Sequence, residues 1–167
     1  YAGLYDPELN GWTTLPNFPG GGYSSSAVWT GTHLIQVNSS SAIAYRLSDQ
    51  SIWNIESKPT TERHGLVWTG KDVIGCYGYT GSSTGGTCNR FDLGGLHNHI
   101  TGMPIGSWAD VSSTNSPAAR NSHTSIWNGK YMISWGGHDG IGYLSTGGRY
   151  DPFNNTWLPV STTDAPA

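Results

Sequence analysis

Charged side chains are scarce in this chain of 167 residues: Asp, Glu, Lys and Arg together make up 11%, and only three residues are lysines. With a net charge of −3 and no basic cluster, the chain lacks the Lys/Arg contacts that nucleic-acid phosphates need, and nucleic acid is excluded as a partner. No apolar run approaches the roughly 20 residues of a membrane-spanning helix. A basic-then-apolar leader is missing from the residues at hand, which start at Tyr1 inside a repeat. Cysteine is nearly absent, and Cys76 and Cys88 are too few to hold zinc unaided. The Glu/Lys/Ala/Leu content of long helices is lacking, which predicts almost no helix. Gly-x-Ser-x-Gly, His-Glu-x-x-His and Walker-type loops do not occur, so no catalytic residue is assigned.

What is present is turn-forming and aromatic: 24 Gly, 8 Trp and 9 Tyr. The most regular stretch runs from Arg120 to Trp157, RNSHTSIWNGKYMISWGGHDGIGYLSTGGRYDPFNNTW. Two β-rich runs, HTSIW and YMISW, flank Asn128-Gly129, a dipeptide suited to the centre of a two-residue hairpin turn. A glycine-rich loop opened by Gly136-Gly137 leads to GGRYDP, and Asp151 to Asn155 make a second turn before TWLPV. The order predicts a four-stranded antiparallel meander, strands a to d, of about forty residues. A di-glycine after strand b, then Tyr150 followed seven residues on by Trp157, resembles a kelch repeat, and the resemblance implies a β-propeller blade.

Weaker copies fill the rest of the chain. Residues 1–16 carry Tyr5, an Asn10-Gly11 turn and Trp12, a c–d hairpin without its a and b strands. Residues 21–57 form a blade with Trp29-Thr30-Gly31 at the a–b turn and Tyr45 and Trp53 eight apart across the c–d turn. Residues 62–112 form a blade with long loops, in which Trp68-Thr69-Gly70 repeats the turn and Phe91 replaces Tyr. The regular unit spans 119–161. The expected fold is all-β: a kelch-like propeller segment of about three and a half four-stranded blades forming an incomplete ring. A β-sandwich is the alternative, although it does not account for the repeated W-[TN]-G and Y…W steps. A half blade leaves strand c with an open edge, so either further blades of a longer chain or other copies are expected to cover the open ends.

The d-strand tryptophans Trp12, Trp53, Trp108 and Trp157 recur in every unit, as packing between neighbouring sheets demands, and are read as core. Strand alternation gathers the d–a connections and the b–c loops at one end of the blades. Arg63, His64, Arg120, His123, His138 and Asp139 share that rim and are the candidate ligand-binding groups. The competing possibility is a repeated hydrogen-bonding pair that fixes the d–a connection. His97-x-His99 lies in an expanded c–d loop and is read as solvated, and no metal is assigned. Aligning the two longest units places Cys76 at the position of Trp135 and Cys88 at that of Gly147, facing positions on adjacent strands. A Cys76–Cys88 disulfide is predicted over two buried thiols, and with it an extracellular or periplasmic location.

The kelch resemblance implies an interaction scaffold. It also brings in enzymes such as galactose oxidase, whose propellers carry copper ligands, but that ligand set does not map onto these residues and no cofactor is expected. The function expected is a non-catalytic propeller module that binds a protein or glycan at the rim. The alternatives are a piece of a larger propeller enzyme, of oxidase or glycan-processing type, and a lectin-like module.

Overall fold

The computed structural model describes residues 2–15, 25–38, 41–55, 65–79, 84–92 and 108–165. Among them there is no α-helix, and fourteen strands form four separate antiparallel sheets. A hairpin pairs β1 (Ala2–Asp6) with β2 (Gly11–Leu15). The first full sheet comprises β3 (Ser26–Trp29), β4 (His33–Val37), β5 (Ala42–Arg46) and β6 (Ile52–Asn54). The second comprises β7 (Gly65–Trp68), β8 (Asp72–Tyr79), β9 (Thr84–Asp92) and β10 (Trp108–Asp110). The third comprises β11 (Thr124–Trp127), β12 (Met132–Trp135), β13 (Gly147–Asp151) and β14 (Thr156–Pro159). Each full sheet is a simple meander in chain order. Strand β7 packs between β3 and β11, so the first strands of the sheets line a common axis, as in an open arc of propeller blades.

Local chemistry explains the repeated sequence steps. At the a–b turns Gly31, Gly70 and Gly129 take φ of 93°, 91° and 96°, a region costly for any residue with a Cβ. The residue before each glycine closes the turn with its side chain: Thr30 Oγ1 accepts the His33 N–H, Thr69 Oγ1 the Asp72 N–H, and Asn128 Oδ1 those of Lys130 and Tyr131. Asn128 therefore stands one position earlier than the Asn-Gly pattern predicts; it caps the turn and does not occupy its centre.

The c–d turns repeat a second device. The Tyr5 and Tyr150 hydroxyls each donate to the Oδ1 of an asparagine five residues on, Asn10 and Asn155, at 2.7 Å. Both asparagines sit at positive φ, and Asp6 and Asp151 each accept two N–H groups of the turn. This turn sets Tyr opposite Trp seven residues later, Tyr5 with Trp12 and Tyr150 with Trp157.

The spacing of eight at Tyr45 and Trp53 does not come from a longer turn. Tyr45 pairs with Ile52, again seven on, and Trp53 pairs with Ala44. A one-residue step reverses a strand's facing. Tyr45 looks across a cleft of about 340 Å³ toward Leu4 and Leu15 of the β1–β2 hairpin, while Trp53 turns the other way. It joins Ile35, Val37, Ala44, Val73 and Phe91, with Trp68 and Trp108 alongside, in the core between the first and second sheets. The core between the second and third sheets holds Ile74, Cys76, Tyr77, Met132, Tyr150 and Trp157.

The axial strands come close enough to demand glycine. A methyl group on Gly65 of β7 would overlap Ser125 of β11 and stand 2.8 Å from His123 Nε2. Gly65→Ala should therefore cost about 1–3 kcal/mol through overpacking, seen as a lower urea midpoint at unchanged m. A neutral result would mean that β7 and β11 separate freely.

Candidate functional site

The loop joining β12 to β13 is an ordered projection. Gly136 and Gly137 turn the chain at φ of 70° and 87°, and any Cβ on Gly137 would lie 2.5 Å from the Asn121 carbonyl. That closeness lets Asn121 and His138 exchange both backbone hydrogen bonds at 2.9 Å, stitching the segment before β11 to the loop. Gly136 N–H donates to Thr146 O and Leu144 N–H to Gly137 O, which closes the base. At the tip Asp139 Oδ1 accepts the Ile141 and Gly142 N–H groups, and His138 Nδ1 accepts that of Gly140. These bonds hold up two side chains that bury almost nothing: Ile141 is 94% exposed and Tyr143, edge-on to the His138 ring at 5.2 Å, is 93% exposed.

The Gly142 and Ile141 N–H groups hold the Asp139 carboxyl below its ordinary value of 3.8. A carboxylate with a depressed folded pKa contributes order that is present above the ordinary value and lost as pH falls through the folded one. The Gly142 amide should thus keep its hydrogen-bonded shift through pH 3.8 and lose it only below. Loss at or above 3.8 in an NMR titration would contradict the tip geometry.

Beneath this loop lies Arg120, only 1% exposed. Its Nε donates to Ala118 O at 3.0 Å, and Nη1 to Gly136 O and Thr146 O at 2.9 and 2.6 Å, so one guanidinium spans both feet of the loop. Burial lowers its pKa from the ordinary arginine value. Its backbone carbonyl accepts from Gly78 N–H, and its guanidinium lies 5.9 Å from the Tyr77 ring, which ties the loop to the second sheet. Tyr77 stands at a bulge with φ of 54°, and burial raises its pKa against the pull of the Arg120 charge. The half-buried His123 ring meets Tyr77 edge-on at 5.4 Å.

The structure thus brings four of the six predicted rim residues to one end and divides their work. Arg120, and His123 packed on Tyr77, form the support, while His138 and Asp139 shape the projecting tip. Arg63 and His64, like His97 and His99, lie outside the described residues. Sequence reasoning passed over Ile141 and Tyr143; the available signal was an apolar and an aromatic residue set between glycines in a loop with no strand pattern.

Cys76 and Cys88 face each other across β8 and β9 and form the predicted disulfide, with Cα atoms 4.1 Å apart. Trp135 and Gly147 occupy the same facing positions in the third sheet. Among the described residues no group of three or more His, Cys, Asp or Glu side chains is placed to hold a metal ion.

No protein-family model and no curated protein sequence matches the chain. Among solved structures it is similar to a fungal alcohol oxidase of the AA5 family in complex with copper, with a TM-score of 0.70 and 15% sequence identity. The match covers 98% of this chain but 38% of the oxidase. What the two share is the fold: the chain is an all-β, propeller-like arc of three four-stranded sheets and a hairpin.

Proposed function

We propose that the chain is a kelch-like propeller scaffold of an extracytoplasmic protein, and that it presents the β12–β13 loop as a recognition surface for a protein or glycan. The observation that carries this reading is the contrast within the loop. A buried arginine and a net of backbone hydrogen bonds fix its feet, while Ile141 and Tyr143 stand almost fully exposed. A preformed projection binds without paying to order itself. The disulfide fits an oxidising compartment.

The test uses peptides selected from a displayed library on the wild-type chain, together with a glycan array. Ile141→Ala/Tyr143→Ala should abolish most of the selected binding while leaving the melting temperature within a degree or two. Selected ligands that ignore this variant would move the recognition surface elsewhere.

A second reading is favoured by the solved oxidase: the chain forms scaffold blades of a propeller enzyme of oxidase type, with the reactive groups outside the described residues. Copper analysis and a peroxide-release assay with primary alcohols on the full-length protein separate the two, since an oxidase takes up stoichiometric copper and releases peroxide whereas a non-catalytic scaffold does neither.

In either reading the outermost faces need covering. Trp12 is 74% exposed, whereas its counterpart Trp157 is 2% exposed beneath a neighbouring sheet, and Ile126 faces outward from the last sheet. Further blades or other copies would cover these faces, and sedimentation of the isolated chain distinguishes the two.

A further inference from the structure

The end of the arc opposite the rim holds a second cleft, of about 330 Å³, between the second and third sheets. Small-molecule sites begin at about this size. Lys71, Asp72 and Arg90 line it from one sheet, and Trp127, Pro152 and Phe153 from the other.

Asp72 is the group that lacks an explanation in the fold. It is 8% exposed, and no hydrogen-bond donor among the described residues reaches its carboxylate. Its backbone is fixed, because Thr69 Oγ1 accepts its N–H at 2.8 Å and donates to its carbonyl at 3.1 Å. It also stands directly opposite Asp92 across the ladder, a like-charge pairing that sheets avoid. Burial raises its pKa, while the charges of Lys71 and Arg90 act the other way. Arg90 makes one long bond among the described residues, Nη1 to Pro152 O at 3.4 Å, which leaves the rest of its guanidinium uncommitted. Phe153 is 94% exposed at the cleft's edge, on a turn held rigid by Asp151.

We propose that this cleft binds a neutral sugar ring. Charge decides the class. An anionic ligand would meet Asp72 with Asp92 beside it, a cationic one would meet Lys71 and Arg90, and an apolar one would seal the Asp72 carboxylate away with no donor. A neutral polyol satisfies all of them: one hydroxyl donates to Asp72, another accepts from Arg90, and the C–H face of the ring lies on Phe153. The site is independent of the rim, so its failure leaves the rim reading untouched.

The test is saturation-transfer NMR on the full chain with four probes of one ring shape: D-glucose, D-galactose, D-glucuronate and protonated D-glucosamine. Transfer to the two neutral sugars is expected, with weaker transfer or none to the charged pair. Asp72→Asn should weaken neutral-sugar binding about tenfold, the effect of losing a hydrogen bond to a charged group. Phe153→Ala should weaken it comparably, and because that ring packs in no core, this variant carries the test even if the aspartate variant fails to fold. Leu9→Ala, exposed on the first hairpin and lining neither this cleft nor the rim, should change nothing. Absence of transfer to any probe, a charged sugar bound as tightly as glucose, or wild-type affinity in Phe153→Ala would each overturn the proposal.

Discussion

Replacing Arg120 with methionine should destabilise the protein by about 3–5 kcal/mol, the range for breaking a buried charged network. Methionine keeps the apolar stem of the side chain but leaves the carbonyls of Ala118 and Gly136 without the guanidinium donor, and that of Thr146 with the Gly136 N–H alone. Each orphaned acceptor costs about 1–3 kcal/mol. Removing the buried charge recovers part of this, which keeps the total below the simple sum. Lysine should rescue little, because a single ammonium cannot reproduce a planar fork set between two loop feet. The loss should appear as a lower urea midpoint at unchanged m, with faster amide exchange at Gly136 and Leu144. A change under 1 kcal/mol would mean that the guanidinium is not structural, and would return Arg120 to the set of residues free to meet a ligand.

Removing the disulfide with the paired substitution Cys76→Ala/Cys88→Ala should cost about 2–3 kcal/mol in the chain-entropy model. The bridge closes a separation of 12 residues, so it restrains a short segment of the unfolded chain. For a domain of this size that corresponds to a fall in melting temperature of roughly 5–10 °C. Both sulfurs are buried, so mild reductant should act slowly on the folded protein and quickly once it unfolds. A melting temperature unaffected by the double substitution would show that the β8–β9 ladder alone sets the local stability.

The sequence made legible whatever depends on residues a few steps apart. The W-[TN]-G turns, the Tyr-to-Trp spacing of seven and the facing cysteines are all consequences of a hairpin's short range, and they reappear as register pairs. The rim was legible only as a place. Arg120 looks like a surface charge in sequence because arginine is mostly exposed, and its partners at Gly136 and Thr146 come from 16 and 26 residues away. The cleft at Asp72 was not legible at all, since its two walls belong to different sheets and its aromatic edge, Phe153, reads as one more turn residue. The Asn128-Gly129 step was legible as a turn but misplaced by one position, because the dipeptide pattern does not distinguish a capping asparagine from a central one.

Trp53 bears on how such a chain can be recombined. Because it faces forward where Trp108 and Trp157 face backward, the first sheet contributes a tryptophan to the junction with its successor, which the second sheet does not do for the third. A duplication or swap that cuts between sheets would thus place two tryptophans in one gap or leave a hole in another. The unit that can move intact is the junction, made of the rear half of one sheet and the front half of the next, and chimaeras cut through the middle of a sheet should fold where chimaeras cut at the loops do not.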